Sequence, residues 1–199
     1  SALAQNYVVQ QSPLAYQPLT GAGVQTATLV ARSSSFDPED EGYIDLPLGF
    51  TFNYYGTNYT SVHVDSNGFL MFETNPTATS TCHSGFACYS GSKIPSTTRT
   101  PHNVIAPWWS DHEGAPTVWP FGTTNPPTTT PVPGAIHYKQ GSGEMEIEWS
   151  GWYKYSGYYA YTVKVKLTAS GLFQIHYGPI TSISSTTSGA TVGFEDSTG

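Results

Sequence analysis

Apolar and polar residues alternate along most of this chain with a period of two. In GEMEIEW, Met145, Ile147 and Trp149 fall on one face of an extended segment, and Glu144, Glu146 and Glu148 on the other. In YTVKVKL, Val163, Val165 and Leu167 share a face opposite Lys164 and Lys166. Comparable runs are YVVQQ from Tyr7, TATLVAR around Thr28, LGFTFNYY from Leu48, SVHVD, FLMFE, NVIAPWW, GAIHYKQ, YAYTVKVKL, GLFQIHY and ATVGFE. Gly, Pro, Asn and Ser clusters separate them. No window of a dozen residues carries apolar residues at helical spacing. Eleven short runs predict an all-β, mostly antiparallel β-sandwich with long loops, one domain over residues 1–199.

Some registers follow from the pattern. A hairpin centred on Ser156 sets Glu148 opposite Lys164 and Glu146 opposite Lys166, while Ile147 meets Val165 and Trp149 meets Val163. Both faces are satisfied at once, and a one-residue slip would exchange them. In the preceding hairpin, Gly141 and Ser142 as loop residues predict Ile136 opposite Ile147, Tyr138 opposite Met145, Lys139 opposite Glu144 and His137 opposite Glu146. GLFQIHY adds a strand with Phe173, Ile175 and Tyr177 inward. The prediction is a meander over residues 134–177 with His137, Glu146, Lys166 and His176 outward. In VHVDSNGFLMF, Asn67-Gly68 suits a two-residue type I′ turn, which sets His63 and Asp65 opposite Phe72 and Leu70. Residues 116–133, PTVWPFGTTNPPTTTPVP, read as a long projecting loop, because Pro is excluded from central strands.

Composition narrows the setting. Charged residues are 11% of the chain, under half the usual share, while 38% hydrophobic residues suffice for a core. That is the profile of a secreted β protein with a neutral, hydroxyl-rich surface. Net charge is −7, with seven Lys and Arg in all, which argues against nucleic acid as a partner. No apolar run reaches the length of a membrane span. SALAQNY reads as a mature terminus after cleavage, and the end at Gly199 as a cut from something longer. Cys82 and Cys88 in CHSGFAC predict a disulfide worth about 2–3 kcal/mol, hence an oxidising compartment. Two thiols alone make a poor metal site.

Several blocks carry a resemblance: AYQPLTG, DLPLGFTFNYYGTNYTSVHVDSNGFLMF, NVIAPWWSD, GAIHYKQ, EIEW, GLFQIHYG and ATVGFEDSTG, in that order. The chain resembles a β-sandwich module of large secreted and surface proteins of bacteria, with an LPFxFxFYG strand, an SNGFLxF hairpin, an IAPFWxD strand and a closing ATVGxE. It is loosely similar to nidogen-like extracellular domains. The resemblance implies a non-catalytic part of an adhesin, surface protein or secreted hydrolase from a bacterial source. It lapses at residues 116–133 and in the Cys82–Cys88 loop.

Candidate chemistry lies in a few places. FDPEDEGYID packs Asp37, Glu39, Asp40, Glu41 and Asp45, hard oxygen ligands that suit Ca²⁺, although the spacing is not that of an EF-hand. Asp37, Glu39 and Asp40, joined by Asp111 of WWSDHEG, form the candidate metal set; a solvated acidic turn is the plainer reading. Asp111, His112 and Glu113 could converge as an acid–His corner only through a bend. His63 and Asp65 read as a hydrogen-bonded pair, since a catalytic dyad lacks a nucleophile motif. Glu144, Glu146 and Glu148 stand about 6.5–7 Å apart along a strand, an inverting-glycosidase spacing, but facing lysines account for two of them. Around one hairpin tip, WSGWYKYSGYYAY concentrates rings, and Trp119, Trp152, Tyr153, Tyr155, Tyr158 and Tyr159 are the candidate binding surface. Asn58-Tyr59-Thr60 is a glycosylation sequon, inert in a bacterial source.

Three functions compete. The first is a secreted, non-catalytic recognition or adhesion module that binds carbohydrate or a cell-surface or matrix protein through the aromatic tip, with Ca²⁺. The second is an extracellular structural subunit that self-associates through edge strands. The third is a secreted hydrolase, which requires a deep pocket with converging carboxylate and imidazole groups.

Overall fold

A computed structural model describes residues 7–73, 82, 88, 89, 93–98, 100–114, 133–155, 159–182 and 189–199. Two antiparallel sheets pack face to face, with no helix among the described residues. One sheet runs β1 (Gln25–Thr26), β8 (Ala135–Gly141), β9 (Glu144–Lys154), β10 (Tyr159–Thr168) and β11 (Phe173–Ser182), with β7 (His112–Glu113) paired to the end of β9. The other runs β12 (Thr191–Glu195), β6 (Val104–Trp109), β5 (Phe69–Met71), β4 (Thr57–Asp65), β3 (Gly42–Tyr54) and β2 (Val30–Ala31). The all-β sandwich and the β8–β11 meander are therefore as the alternation predicts.

Alternate positions build the core between the sheets. Leu46, Phe52, Val62, Val64 and Leu70 come from one sheet, and Ile136, Ile147, Trp149, Val163 and Val165 from the other, all buried. Beneath the outer face of β5 and β6, a second cluster joins Phe69, Met71, Val104 and Trp109 to the buried Cys82–Cys88 disulfide.

The β9–β10 register matches every predicted pair, from Glu148 opposite Lys164 to Trp149 opposite Val163. The ion pairs nevertheless run diagonally, Lys164 to Glu146 at 2.8 Å and Lys166 to Glu144 at 2.6 Å. The cause is the segment before β1. Its Tyr16 hydroxyl and Leu19 N–H both donate to Glu148, and the Gln17 carbonyl accepts from Lys164. That segment covers part of the outer sheet face, so Glu148 and Lys164 are buried rather than solvated.

Three local expectations are corrected. YVVQQ forms no strand: Tyr7 packs on Tyr54, Tyr55, Phe173 and Phe194, while Val8 and Val9 face solvent. The β8–β9 register is shifted by two residues, with Ile136 opposite Trp149 and Tyr138 opposite Ile147. The turn lies at Ser142-Gly143 because Gly143 takes the left-handed conformation, φ 74°; parity survives an even shift. The β4–β5 loop has three residues, Ser66, Asn67 and Gly68, of which only Gly68 has positive φ (80°). This is a type I turn with a left-handed third residue rather than type I′. It sets His63 opposite Met71 and Asp65 opposite Phe69, sending Leu70 and Phe72 into the inter-sheet core.

Candidate functional site

The Asp65–Gly68 turn is held from every side. The Trp149 indole N–H donates to the Asp65 carbonyl at 2.9 Å, and that of Trp152 to the Ser66 carbonyl at 2.7 Å. Both bonds tie one sheet to the loop of the other. The Ser66 hydroxyl donates to the Asp40 carbonyl at 2.6 Å and accepts the Gly42 N–H at 3.1 Å. Beyond its own N–H bond to the Asp65 carboxylate, Asn67 reaches out of the turn at three points. Its side-chain oxygen accepts the His112 N–H (2.9 Å), its backbone carbonyl accepts the Ser110 N–H (3.1 Å), and its amide nitrogen approaches Glu41 Oε2 (3.4 Å). One turn thus fixes Asp40, Glu41 and the residues on both sides of Asp111.

Replacing Asn67 by alanine is expected to lower stability by about 2 kcal/mol, because the buried His112 N–H loses its acceptor. Urea unfolding measures it, and an unchanged midpoint would contradict this assignment.

Carboxylate oxygens of Asp40, Glu41 and Asp111 lie within 4.8 Å of one another. They line a hollow of about 510 Å³ whose remaining walls are Phe36, Tyr89 and Tyr155. Tyr155 is placed there by its backbone N–H, which donates to the Asp111 carbonyl at 2.9 Å. Tyr89 follows directly on the disulfide. Asp40 Oδ1 is buried and has no hydrogen-bond partner among the described residues. Burial first, then the neighbouring Asp111, Glu113 and Asp37, push the Asp40 carboxyl up to about 7. Burial likewise raises Asp111 against the pull of Lys154, and Glu41 against the pull of Arg32. The arrangement is a concentration of negative charge that a bound cation would relieve.

Behind the hollow sits Arg32, buried. Its two terminal nitrogens donate to Glu41 and Asp65, and its Nε–H to the Cys82 carbonyl at 3.0 Å. The opposite end of the disulfide is held too, with the Trp109 indole N–H donating to the Cys88 carbonyl at 3.0 Å.

The expected site residues divide sharply. Asp40, Asp111 and Tyr155 meet in the hollow. Asp37 and Glu39 are exposed and stand outside the converging group, the Asp37 carboxylate being turned back to accept the Glu39 N–H at 2.9 Å. Trp152 is 2% exposed and bonded to the turn, so it is core rather than tip. Tyr153 is half-buried and pairs with Glu113. Trp119 and Tyr158 lie outside the described residues, as does the side chain of Tyr159.

No imidazole lines the hollow among the described residues. His112 is buried against Tyr161, 3.3 Å from its hydroxyl, and burial together with Lys154 lowers it to about 3. The acid–His corner is thus not assembled, since Asp111 and His112 point apart. Phe36, Tyr89 and the organising Arg32 go unassigned in the sequence, Asn67 reads there only as a turn residue, and Glu41 belongs to the acidic loop but not to the candidate metal set. The one signal for Arg32 is a lone cation just before an acidic loop.

Among the described residues no helix is long and apolar enough to cross a membrane. No curated protein and no solved structure matches the chain. The family described as NIDO related matches residues 6–199. The chain therefore belongs to the NIDO-related (nidogen-related) family.

Proposed function

We propose that this chain is an extracellular, non-catalytic recognition module that binds a carbohydrate or a surface or matrix protein at the acid–aromatic hollow, with Ca²⁺ held by Asp40, Glu41 and Asp111. Family membership and the disulfide are consistent with an extracellular location. The observation that carries the reading is the convergence of three carboxylates in a hollow walled by Phe36, Tyr89 and Tyr155. Hard oxygen ligands suit Ca²⁺. Exposed rings beside them offer flat faces for a sugar ring or an apolar side chain. Of the expected tip rings, Tyr155 is 40% exposed, whereas Trp152 is buried.

The test is a glycan and matrix-protein binding array with the purified chain, with and without a chelator, beside Tyr155→Ala. Binding lost in both the chelated sample and the variant supports the reading. Binding indifferent to both contradicts it.

A pH effect follows from Asp40. Its folded-state carboxyl is raised from 3.8 to about 7, so between those values the folded state binds more protons than the unfolded state. Its contribution to stability falls as pH rises through about 4 to 7 and is flat above. Ca²⁺ is expected to raise the Tm more at about pH 7.5 than at about pH 5, by mass action on the ionised site. Thermal melts at both pH values check this; an equal gain would contradict it.

A further inference from the structure

The His63 imidazole is buried on β4, and each ring nitrogen faces a carboxylate oxygen. Nδ1 lies 3.0 Å from Asp45 Oδ1, and Nε2 lies 3.2 Å from Asp65 Oδ2. An ionised carboxylate only accepts, so both contacts are hydrogen bonds only when both nitrogens carry protons. A neutral ring would set a lone pair against one carboxylate away from water.

The Arg32 guanidinium, bonded to the same Asp65 oxygen, is a like charge that opposes a second proton on the ring, whereas the aromatic rings packed on His63 carry none. The Tyr43 ring of β3 stacks at 5.0 Å, and the Phe69 ring of β5 lies at 6.4 Å. Burial pushes the imidazole down, but hydrogen bonds and charge from Asp45 and Asp65 outweigh it and hold it above its ordinary value.

Asp65 Oδ2 also accepts from Arg32, so His63 and Arg32 share one oxygen. The other terminal nitrogen of Arg32 serves Glu41, a wall of the hollow. At the far end the Asp45 side chain is 32% exposed. A continuous chain of contacts therefore runs from solvent through Asp45, His63, Asp65 and Arg32 to Glu41.

We propose that His63 is a pH-operated latch on the hollow. As an imidazolium it shares Asp65 with Arg32, leaving the guanidinium to neutralise Glu41. On losing its proton it leaves Asp65 to Arg32 alone, the guanidinium shifts its charge toward Asp65, and Glu41 becomes a stronger ligand for a cation. This rests on the reading of the hollow as a cation site. His63 touches none of Asp40, Glu41 or Asp111, so the latch acts at a distance through two fixed partners.

Two measurements on the whole chain test it. Ring-nitrogen NMR of His63 at about pH 7 is expected to find both nitrogens protonated; an unprotonated nitrogen overturns the latch. Ca²⁺ titrations compare the natural chain with His63→Gln and with Asp45→Asn, whose change lies at the exposed end and spares the core. His63→Gln is expected to bind Ca²⁺ about fivefold tighter than the natural chain at about pH 6 and equally at about pH 9. Asp45→Asn is expected to move the affinity step to lower pH. Binding by the natural chain with an unmoved pH profile in Asp45→Asn overturns the latch alone. Absence of Ca²⁺ binding at every pH overturns the hollow reading and the latch together.

Discussion

Replacing Arg32 by alanine is expected to destabilise the chain by about 3–5 kcal/mol, because it leaves buried carboxylates without their cation. Asp65 is fully buried and Glu41 nearly so, and Arg32 serves both while also holding the Cys82 carbonyl. The Arg32 charge works against the burial that would otherwise force Asp65 to take a proton, and Asp65 is held below its ordinary value. Without it, Asp65 retains His63 and the Asn67 N–H, while among the described residues Glu41 keeps only the long contact from Asn67. Lysine is expected to rescue little, since one ammonium point charge cannot serve three acceptors spread around a planar fork. Urea unfolding of the natural chain, Arg32→Ala and Arg32→Lys measures both effects. A loss under about 1 kcal/mol in Arg32→Ala would mean that the pairs are solvated.

The second large effect is expected at Gly68. Its φ of 80° lies in the left-handed region, and a Cβ there would sit 2.3 Å from the Trp108 carbonyl oxygen and 2.9 Å from the Tyr161 hydroxyl. Backbone cannot yield as a flexible side-chain end can, so Gly68→Ala combines strain with a steric clash, about 2–4 kcal/mol together. The damage would not stay local. Gly68 closes the turn that carries the Trp149 and Trp152 anchors and the Asn67 contacts to Glu41 and His112. Thermal melts are expected to fall, and cation binding to weaken in the fraction that remains folded. A variant with unchanged melting would mean that the turn adapts.

Sequence alternation carried the sheets well where two constraints agreed. In β9 and β10 the charges and the apolar residues demand the same pairing, so the register could be read directly. In β8–β9 only the turn position was ambiguous, and glycines at both Gly141 and Gly143 left a choice of two residues. In β4–β5 the Asn-Gly signal pointed to the shorter turn, and a single extra loop residue moved Leu70 and Phe72 to the other face. The hollow was legible only in parts. Asp40, Asp111 and Tyr155 stood out by type, but they are far apart in sequence and meet because Ser66 holds Asp40, Asn67 grips both sides of Asp111, and the Tyr155 N–H bonds the Asp111 carbonyl. Trp152 misled because a ring near a hairpin tip can still reach inward, and its indole N–H found the Ser66 carbonyl. Nothing local distinguishes Glu41, which faces Arg32 and the hollow, from its exposed neighbour Glu39.

The central claim is that the hollow holds a cation through Asp40, Glu41 and Asp111. Tyrosine-sensitised Tb³⁺ luminescence, with Ca²⁺ as competitor, tests it most directly, because Tyr89 and Tyr155 line the site. The natural chain at about pH 7.5 is expected to give a saturable signal that Ca²⁺ displaces, and a chain carrying both Asp40→Asn and Asp111→Asn to lose about tenfold or more in affinity while remaining folded. No sensitised signal, or one that survives both substitutions unchanged, would contradict it.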